Sequence, residues 1–87
     1  LVDQYNYMKL ISDGTVLKKS ELFGKYVSFF PFGGNVTDLT LEGFKYPLSN
    51  YCLTAADSGL TVSNEIISEY ARVTFSSGEL LMIMSRD

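Results

Sequence analysis

The sequence predicts a small all-β domain, and two observations support this: regularly spaced turn signals and alternating segments between them. Five glycine-centred dipeptides punctuate the 87-residue chain at spacings of roughly 10 to 20 residues, which is typical of an all-β sheet or small barrel. The glycine of each can adopt the positive φ that a tight turn requires. We therefore expect a single domain over residues 1–87, a small antiparallel sheet or partly open barrel of about six to seven strands with at most one or two short helical turns. The dipeptides are Asp13-Gly14, Gly33-Gly34, Glu42-Gly43, Ser58-Gly59 and Ser77-Gly78.

The C-terminal segments give the clearest hairpin signal. With a two-residue turn at Ser77-Gly78, the residues that face each other across the two strands are all apolar on one side. Moving the turn by one residue shifts the pairing by two, so each side chain keeps its face. We predict a hairpin here, with Val73, Phe75, Leu80 and Met82 in the core.

Residues 26–32 and 36–42 are predicted to form another hairpin, with Gly33-Gly34 as its turn. In the second segment Leu39 and Leu41 alternate with polar residues, which is the pattern of a strand with one buried face. The pairing places on the leucine face the residues Tyr26, Ser28, Phe30 and Phe32.

Two local features qualify these predictions. Pro31 has no N–H to donate to a ladder, so its strand is expected to lie at a sheet edge or to end there. A hairpin over residues 5–18 would place Lys9 opposite Lys18, and like charges that face each other are unfavourable. Either that face is open to water or the register differs.

The remaining segments are predicted with alternatives. A hairpin over residues 51–66 would bring Val62 and Ile66 against the preceding strand. Residues 64–70 are assigned to a strand because the period of two continues toward the last turn, with a short helix as the alternative. Residues 20–24 are predicted to form a single helical turn that begins at a serine and ends at a glycine.

Composition argues against most enzyme classes. The chain has no histidine and one cysteine, Cys52. A Ser-His-Asp or Cys-His arrangement is therefore impossible, and so are an internal disulfide and a Cys/His zinc site. We expect a protein that is not an enzyme and that holds no metal or cofactor, with Cys52 as an inert thiol.

Charge and hydropathy restrict the partners. The net charge is −3 and the seven basic residues are scattered, whereas a nucleic-acid binder needs a clustered basic surface. No apolar run approaches the roughly 20 residues of a membrane-spanning helix. A single unpaired cysteine favours a reducing, cytoplasmic compartment over secretion.

The aromatic side chains are the most suggestive candidates for binding. Tyrosine suits a surface that is apolar on one side and wet on the other, and a loop is expected immediately before Pro47. We predict that this surface contacts a partner or ligand through Phe44, Tyr46, Phe32 and Tyr51.

Two functional hypotheses follow. The first is a non-catalytic protein–protein interaction module, a small acidic accessory, subunit or inhibitor protein of the kind found in phages and viruses. It would self-associate into a homo-oligomer, because so small a domain has neither disulfide nor zinc to stabilise it. The alternative is a small-ligand module that holds a sugar or nucleotide in an aromatic-lined pocket, which could lie at a subunit interface.

Overall fold

The protein is built from antiparallel β-strands, as the sequence predicts, and these strands form two sheets. The computed structural model describes residues 5–60 and 63–86, and it gives no side-chain environment for residues 58–60. The strands within these ranges are β1 (Asn6–Ile11), β2 (Thr15–Lys18), β3 (Tyr26–Pro31), β4 (Val36–Glu42), β5 (Leu48–Leu53), β6 (Tyr70–Thr74) and β7 (Leu80–Ser85), with short 3₁₀ turns at Lys19–Glu21 and Ala55–Leu60.

The strands assemble into one sheet of order β1-β7-β3 and another of order β2-β6-β4-β5. Four connections therefore join strands of different sheets. The one from β2 to β3 is longer and contains the 3₁₀ turn Lys19–Glu21. The other three are short reversals at a glycine turn: β1 to β2, β3 to β4, and β6 to β7. Each such pair forms an arch that spans the two sheets. Because β7 lies between β1 and β3, and β6 lies between β2 and β4, the β6–β7 arch is the central one. The β4–β5 pair is a hairpin within one sheet.

The hairpins predicted at Asp13-Gly14, Gly33-Gly34 and Ser77-Gly78 are therefore wrong as pairings, although the chain does reverse at each of them. A glycine turn fixes the reversal of the chain, but it does not decide whether the next strand joins the same sheet or the opposite one. The conflict between Lys9 and Lys18 disappears as a result. Lys9 is opposite Met82 on β7, and Lys18 is opposite Tyr70 on β6.

The core lies between the two sheets. The core residues predicted from the C-terminal segments belong to it. The four side chains predicted there are at most 7% exposed, so this prediction is confirmed. They approach each other from the two sheets rather than across a hairpin. The residues are Val73, Phe75, Leu80 and Met82.

The predicted face of β3 is inverted, whereas that of β4 is correct. Val27 and Phe29 are fully buried, and Tyr26, Ser28 and Phe30 are only half-buried. The prediction assumed that β3 pairs with β4, but β3 pairs with β7. On β4, Leu39 and Leu41 are buried as expected.

The edge prediction for Pro31 is confirmed, since β3 is an outer strand of its sheet. The predicted hairpin over residues 51–66 is wrong, because the chain enters the 3₁₀ turn Ala55–Leu60 shortly after β5. Val62, which was predicted to belong to that hairpin, lies outside the described residues. Residues 64–70 are not a strand: Asn64 and Ile66 form isolated bridges, and β6 begins only at Tyr70.

Candidate functional site

The candidate site is built on the connection between β4 and β5. Gly43 begins it with a φ of +84°, and a Cβ there would lie 2.7 Å from the carbonyl oxygen of Tyr70. The Gly43 carbonyl accepts hydrogen bonds from the amides of Ile67 (2.9 Å) and Ser68 (3.3 Å). A side chain at this position would separate the two segments, so glycine lets the connection lie directly on the residues that precede β6.

A buried asparagine fixes the next part of the connection. Asn64 is 1% exposed, and its backbone N–H and carbonyl both pair with Val27 of β3, at 2.9 and 2.8 Å. Its side-chain Oδ1 accepts from the amides of Tyr46 (3.0 Å) and Glu65 (2.9 Å), and its Nδ2 donates to the Tyr46 carbonyl (2.8 Å). One carboxamide therefore satisfies both backbone groups of Tyr46.

The side chain of Tyr46 extends into solvent and is 55% exposed. Lys45 lies beside it, with Nζ 5.5 Å from the centre of the Tyr46 ring and 3.6 Å from Oε2 of the half-buried Glu65. We call Tyr46, Lys45, Glu65 and Asn64 the Tyr46 platform. An exposed aromatic face next to a carboxylate can bind a planar cationic ligand by stacking, cation–π attraction and charge pairing.

The charges of the platform are coupled. The phenolic group of Tyr46, followed by the carboxylate of Glu65, raises the pKa of Lys45. The ammonium group therefore stays charged throughout the neutral range. It occupies one side of the tyrosine ring at a cation–π distance, where a positively charged ligand would have to compete with it.

The structure does not bring the four predicted contact residues together. Phe44 is 2% exposed and packs edge-on against Phe29 at 5.6 Å between ring centres, so its assignment to an exposed surface is wrong. Its backbone bridges to Ile66, which directs the ring between the sheets. Phe32 is 52% exposed, but it lies five residues after Val27, the residue of β3 that bonds to Asn64, which is about 16 Å away along an extended strand.

Tyr51 lies in the middle of β5, opposite Leu39. Burial raises the pKa of its phenol, and a hydrogen bond with Asp57 acts in the same direction. Asp57 in turn accepts from the hydroxyl and the amide of Thr54, at 2.8 and 3.2 Å, and these bonds lower its pKa. This cluster closes the 3₁₀ turn after β5, which is a structural task.

Sequence reasoning missed Asn64, Lys45 and Glu65. Asparagine is mostly an exposed residue, so nothing in its type indicated a buried position. The partner of its side chain lies 18 residues away. The sequence did contain one indication that this part is not a regular strand: three consecutive polar residues, Ser63-Asn64-Glu65.

A concavity lies beside β1 and β2, each of which is an outer strand of its sheet within the described residues. Its volume is about 630 Å³. The apolar side chains along it include Tyr7, Leu10, Ile11, Val16, Leu17 and Phe23. We call it the edge groove.

Two further features bear on function: clusters of metal ligands and membrane-spanning helices. In residues 5–60 and 63–86, no group of three or more His, Cys, Asp or Glu side chains is placed to hold a metal ion. No helix in that part of the chain has the length and hydropathy to cross a membrane. Cys52 is exposed on β5 as a free thiol.

Comparison with known proteins gives a consistent result. Residues 14–80 match the family described as thiamin pyrophosphokinase, vitamin B1 binding domain. Over 87 residues the chain is 38% identical to thiamine pyrophosphokinase of Bacillus subtilis, covering all of this chain and 40% of that protein. The crystal structure of that enzyme superposes with a TM-score of 0.89 at 37% identity, over 99% of this chain and 40% of that one.

A crystal structure of thiamin pyrophosphokinase from Geobacillus thermodenitrificans superposes with a TM-score of 0.83 at 35% identity, again over 99% of this chain and 40% of that one. This chain thus spans about two fifths of the length of these relatives.

These likenesses correct the functional hypotheses. The expectation of a non-catalytic acidic accessory protein is wrong, and so is the expectation of a protein that is not an enzyme, because the relatives are thiamin pyrophosphokinases. The composition argument failed because it required a complete catalytic apparatus within 87 residues. Since the match to the family extends over residues 14–80, the chain belongs to the thiamin pyrophosphokinase vitamin B1 binding domain family.

Proposed function

We propose that this chain binds thiamin as the vitamin-binding part of a thiamin pyrophosphokinase, and that the Tyr46 platform contacts the vitamin. The observation that carries this proposal is the family match over residues 14–80. The small-ligand hypothesis is therefore the better of the two drawn from the sequence, with thiamin in place of a sugar or nucleotide.

The chemistry of thiamin suits the platform. The vitamin consists of an aminopyrimidine ring joined to a thiazolium ring with a permanent positive charge. An exposed tyrosine offers a face for stacking on either ring, and a carboxylate at the edge of that face attracts the cation. Tyr46 and Glu65 supply these two groups.

The proposal also assigns a limited task to this chain. A pyrophosphokinase transfers a diphosphate group to the hydroxyl of its acceptor, and the transition state gains most from positioning and from charge stabilisation at the phosphates. We assign the holding and orienting of thiamin to this chain. The groups that handle the phosphates belong, in this proposal, to the part of the relatives that the chain does not match.

Substitution of Tyr46 tests the proposal. Thiamin is titrated into the chain and binding is followed by two-dimensional NMR, which detects weak affinities. Tyr46→Ala should weaken binding by about tenfold or more, because base–aromatic stacking contributes roughly 1–3 kcal/mol in comparable sites. Phe32→Ala is the matched control, since that ring has nearly the same exposure as Tyr46 and is not part of the platform. If the chain does not bind thiamin, the proposed function is wrong. If Tyr46→Ala binds thiamin like wild type, the assignment of the vitamin to the Tyr46 platform is wrong.

We further propose that the domain self-associates through the edge groove, with a second copy of the chain as the occupant. Exposed Leu10 and Val16 lie on β1 and β2, which are outer strands of the two sheets within the described residues, and outer strands are where another chain can be added. Light scattering over a hundredfold dilution should show a mass that falls with concentration. Val16→Lys should favour the monomer, whereas Ile67→Lys, at an exposed apolar site outside the groove, should not. A monomeric mass at every concentration contradicts the proposal.

The cytoplasm remains our proposed location. The exposed, unpaired thiol of Cys52 suits a reducing compartment.

A further inference from the structure

We propose that Asn64 is a positioning residue for the vitamin site: its buried carboxamide fixes the backbone of both Tyr46 and Glu65, and so holds the aromatic face and the carboxylate in the geometry that thiamin requires. This inference rests on the proposed function. Asn64 itself does not contact the ligand in this scheme, because its side chain is enclosed and acts through its neighbours.

The hydrogen bonds of Asn64 connect three segments of the chain. Its backbone forms two hydrogen bonds with Val27 of edge strand β3. Its Oδ1 uses both acceptor positions, one for the amide of Tyr46 and one for the amide of Glu65, while its Nδ2 donates to the carbonyl of Tyr46. Asn64 therefore links the β4–β5 connection, through its side chain, to a strand of the other sheet, which its backbone contacts.

The two groups proposed to contact thiamin depend on this single carboxamide. The Tyr46 ring is exposed, so packing contributes little to its orientation and the backbone must supply the restraint. Glu65 is held on one side by Oδ1 of Asn64 and on the other by its own carbonyl, which accepts from the amide of Lys45 at 2.8 Å. A site arranged before the ligand arrives avoids the entropic cost of ordering it on binding.

Serine, aspartate and leucine cannot reproduce these bonds. Serine is too short to reach both Tyr46 and Glu65. Aspartate keeps an acceptor for the two amides, but its second carboxylate oxygen has no proton to donate to the Tyr46 carbonyl. Leucine has a similar volume but no polar atoms. It would leave the amides of Tyr46 and Glu65 and the carbonyl of Tyr46 without their hydrogen-bond partner, which is costly for groups shielded from water.

The experiment compares thiamin affinity in folded variants of the chain by NMR titration. Asn64→Ser should weaken binding by about tenfold, the equivalent of one or two lost hydrogen bonds. Asp13→Ala is the matched control: it removes another side-chain clamp on a backbone amide, the 2.8 Å bond from Phe75 N to Asp13 Oδ1, without touching the platform. It should lower thermal stability but change the affinity by less than about twofold.

A double-mutant cycle separates positioning from a general loss of structure. If Asn64 acts through Tyr46, then Asn64→Ser should add little to the loss already caused by Tyr46→Ala, because interacting residues are non-additive. A spectroscopic signature is also available. The chain has no tryptophan, so Tyr46→Trp introduces a single reporter, and the fluorescence anisotropy of that ring should fall when Asn64→Ser is added.

Several results would overturn the inference alone. These are wild-type affinity in Asn64→Ser while Tyr46→Ala binds weakly, full additivity in the cycle, or rapid hydrogen exchange of the Tyr46 amide in the wild-type chain. The last measurement needs no substitution at position 64, and Asn64→Asp provides a second variant if Asn64→Ser does not fold. Absence of thiamin binding by the wild-type chain overturns the proposed function, and this inference with it.

Discussion

Three consecutive residues of the β4–β5 connection have different environments. Phe44 packs in the core, Tyr46 faces solvent, and Lys45 between them reaches both the Tyr46 ring and Glu65. The exposed ion pair adds little to stability, since such pairs contribute about 0–1 kcal/mol. Its effect is expected on the ligand instead, because Lys45 competes with a cationic ring for the same aromatic face and the same carboxylate.

Removing either charge should shift thiamin affinity in opposite directions. One unit charge about 6 Å away in water is equivalent to roughly a threefold change in affinity. Lys45→Gln should therefore strengthen thiamin binding about threefold, and Glu65→Gln should weaken it by a similar factor. Both effects should shrink at high ionic strength, where exposed charges are screened.

Calorimetric titration at low and high salt provides the measurement. Lys9→Gln is the control, since Lys9 is an exposed lysine on edge strand β1. Weaker thiamin binding in Lys45→Gln would show that this ammonium assists the ligand rather than competing with it.

At the scale of elements, the short glycine turns of the described residues form three arches and one hairpin. Turn positions and the alternation in β4, β6 and β7 could be predicted because backbone conformation and face depend on local sequence. Strand partners could not, since choosing between a hairpin and an arch depends on contacts between distant segments. The error mattered most for β3, whose buried face was inverted, and least for β6 and β7, whose apolar faces point inward in either arrangement.

The central arch makes a direct prediction about stability. Phe75, between β6 and β7, is 7% exposed, so Phe75→Ala should lower the free energy of unfolding by about 3–5 kcal/mol. Phe32→Ala removes an identical ring from an exposed position and should change it by less than about 0.5 kcal/mol. Chemical denaturation followed by circular dichroism measures both. Equal midpoints for the two variants would mean that the face assignment of this arch is inverted.

Part of the candidate site was accessible from the sequence. Tyr46 was identified because an aromatic residue before a proline, in an expected loop, tends to be exposed. Asn64 was not, because its role depends on a hydrogen bond to the backbone of Tyr46, 18 residues away in the sequence. The two segments lie close together where Gly43 has no side chain to separate them. Phe44 was misplaced because a period-two pattern ends with its strand and says nothing about the first residues of the loop.

For the whole molecule, the main consideration is that this chain matches only two fifths of its relatives. A chain with no histidine can still contribute to diphosphate transfer if it holds the acceptor. Binding energy from the remote part of a substrate can be used to orient its reacting hydroxyl. Loss of the platform should therefore affect both the Michaelis constant for thiamin and the turnover.

A chimera tests this division of tasks. The matching 40% of the B. subtilis enzyme is replaced by this chain, which is 38% identical to it. If the chain holds thiamin, the chimera should form thiamin diphosphate, and Tyr46→Ala in it should lower kcat/KM for thiamin about tenfold or more while leaving the KM for the phosphate donor unchanged. Cys52→Ser is the control, because this exposed thiol lies on β5 outside the platform, and its kcat/KM should stay within about threefold of the chimera. A Tyr46→Ala chimera that loses affinity for the donor instead would place the platform in the phosphate site. One that retains full activity would remove Tyr46 from the vitamin site altogether.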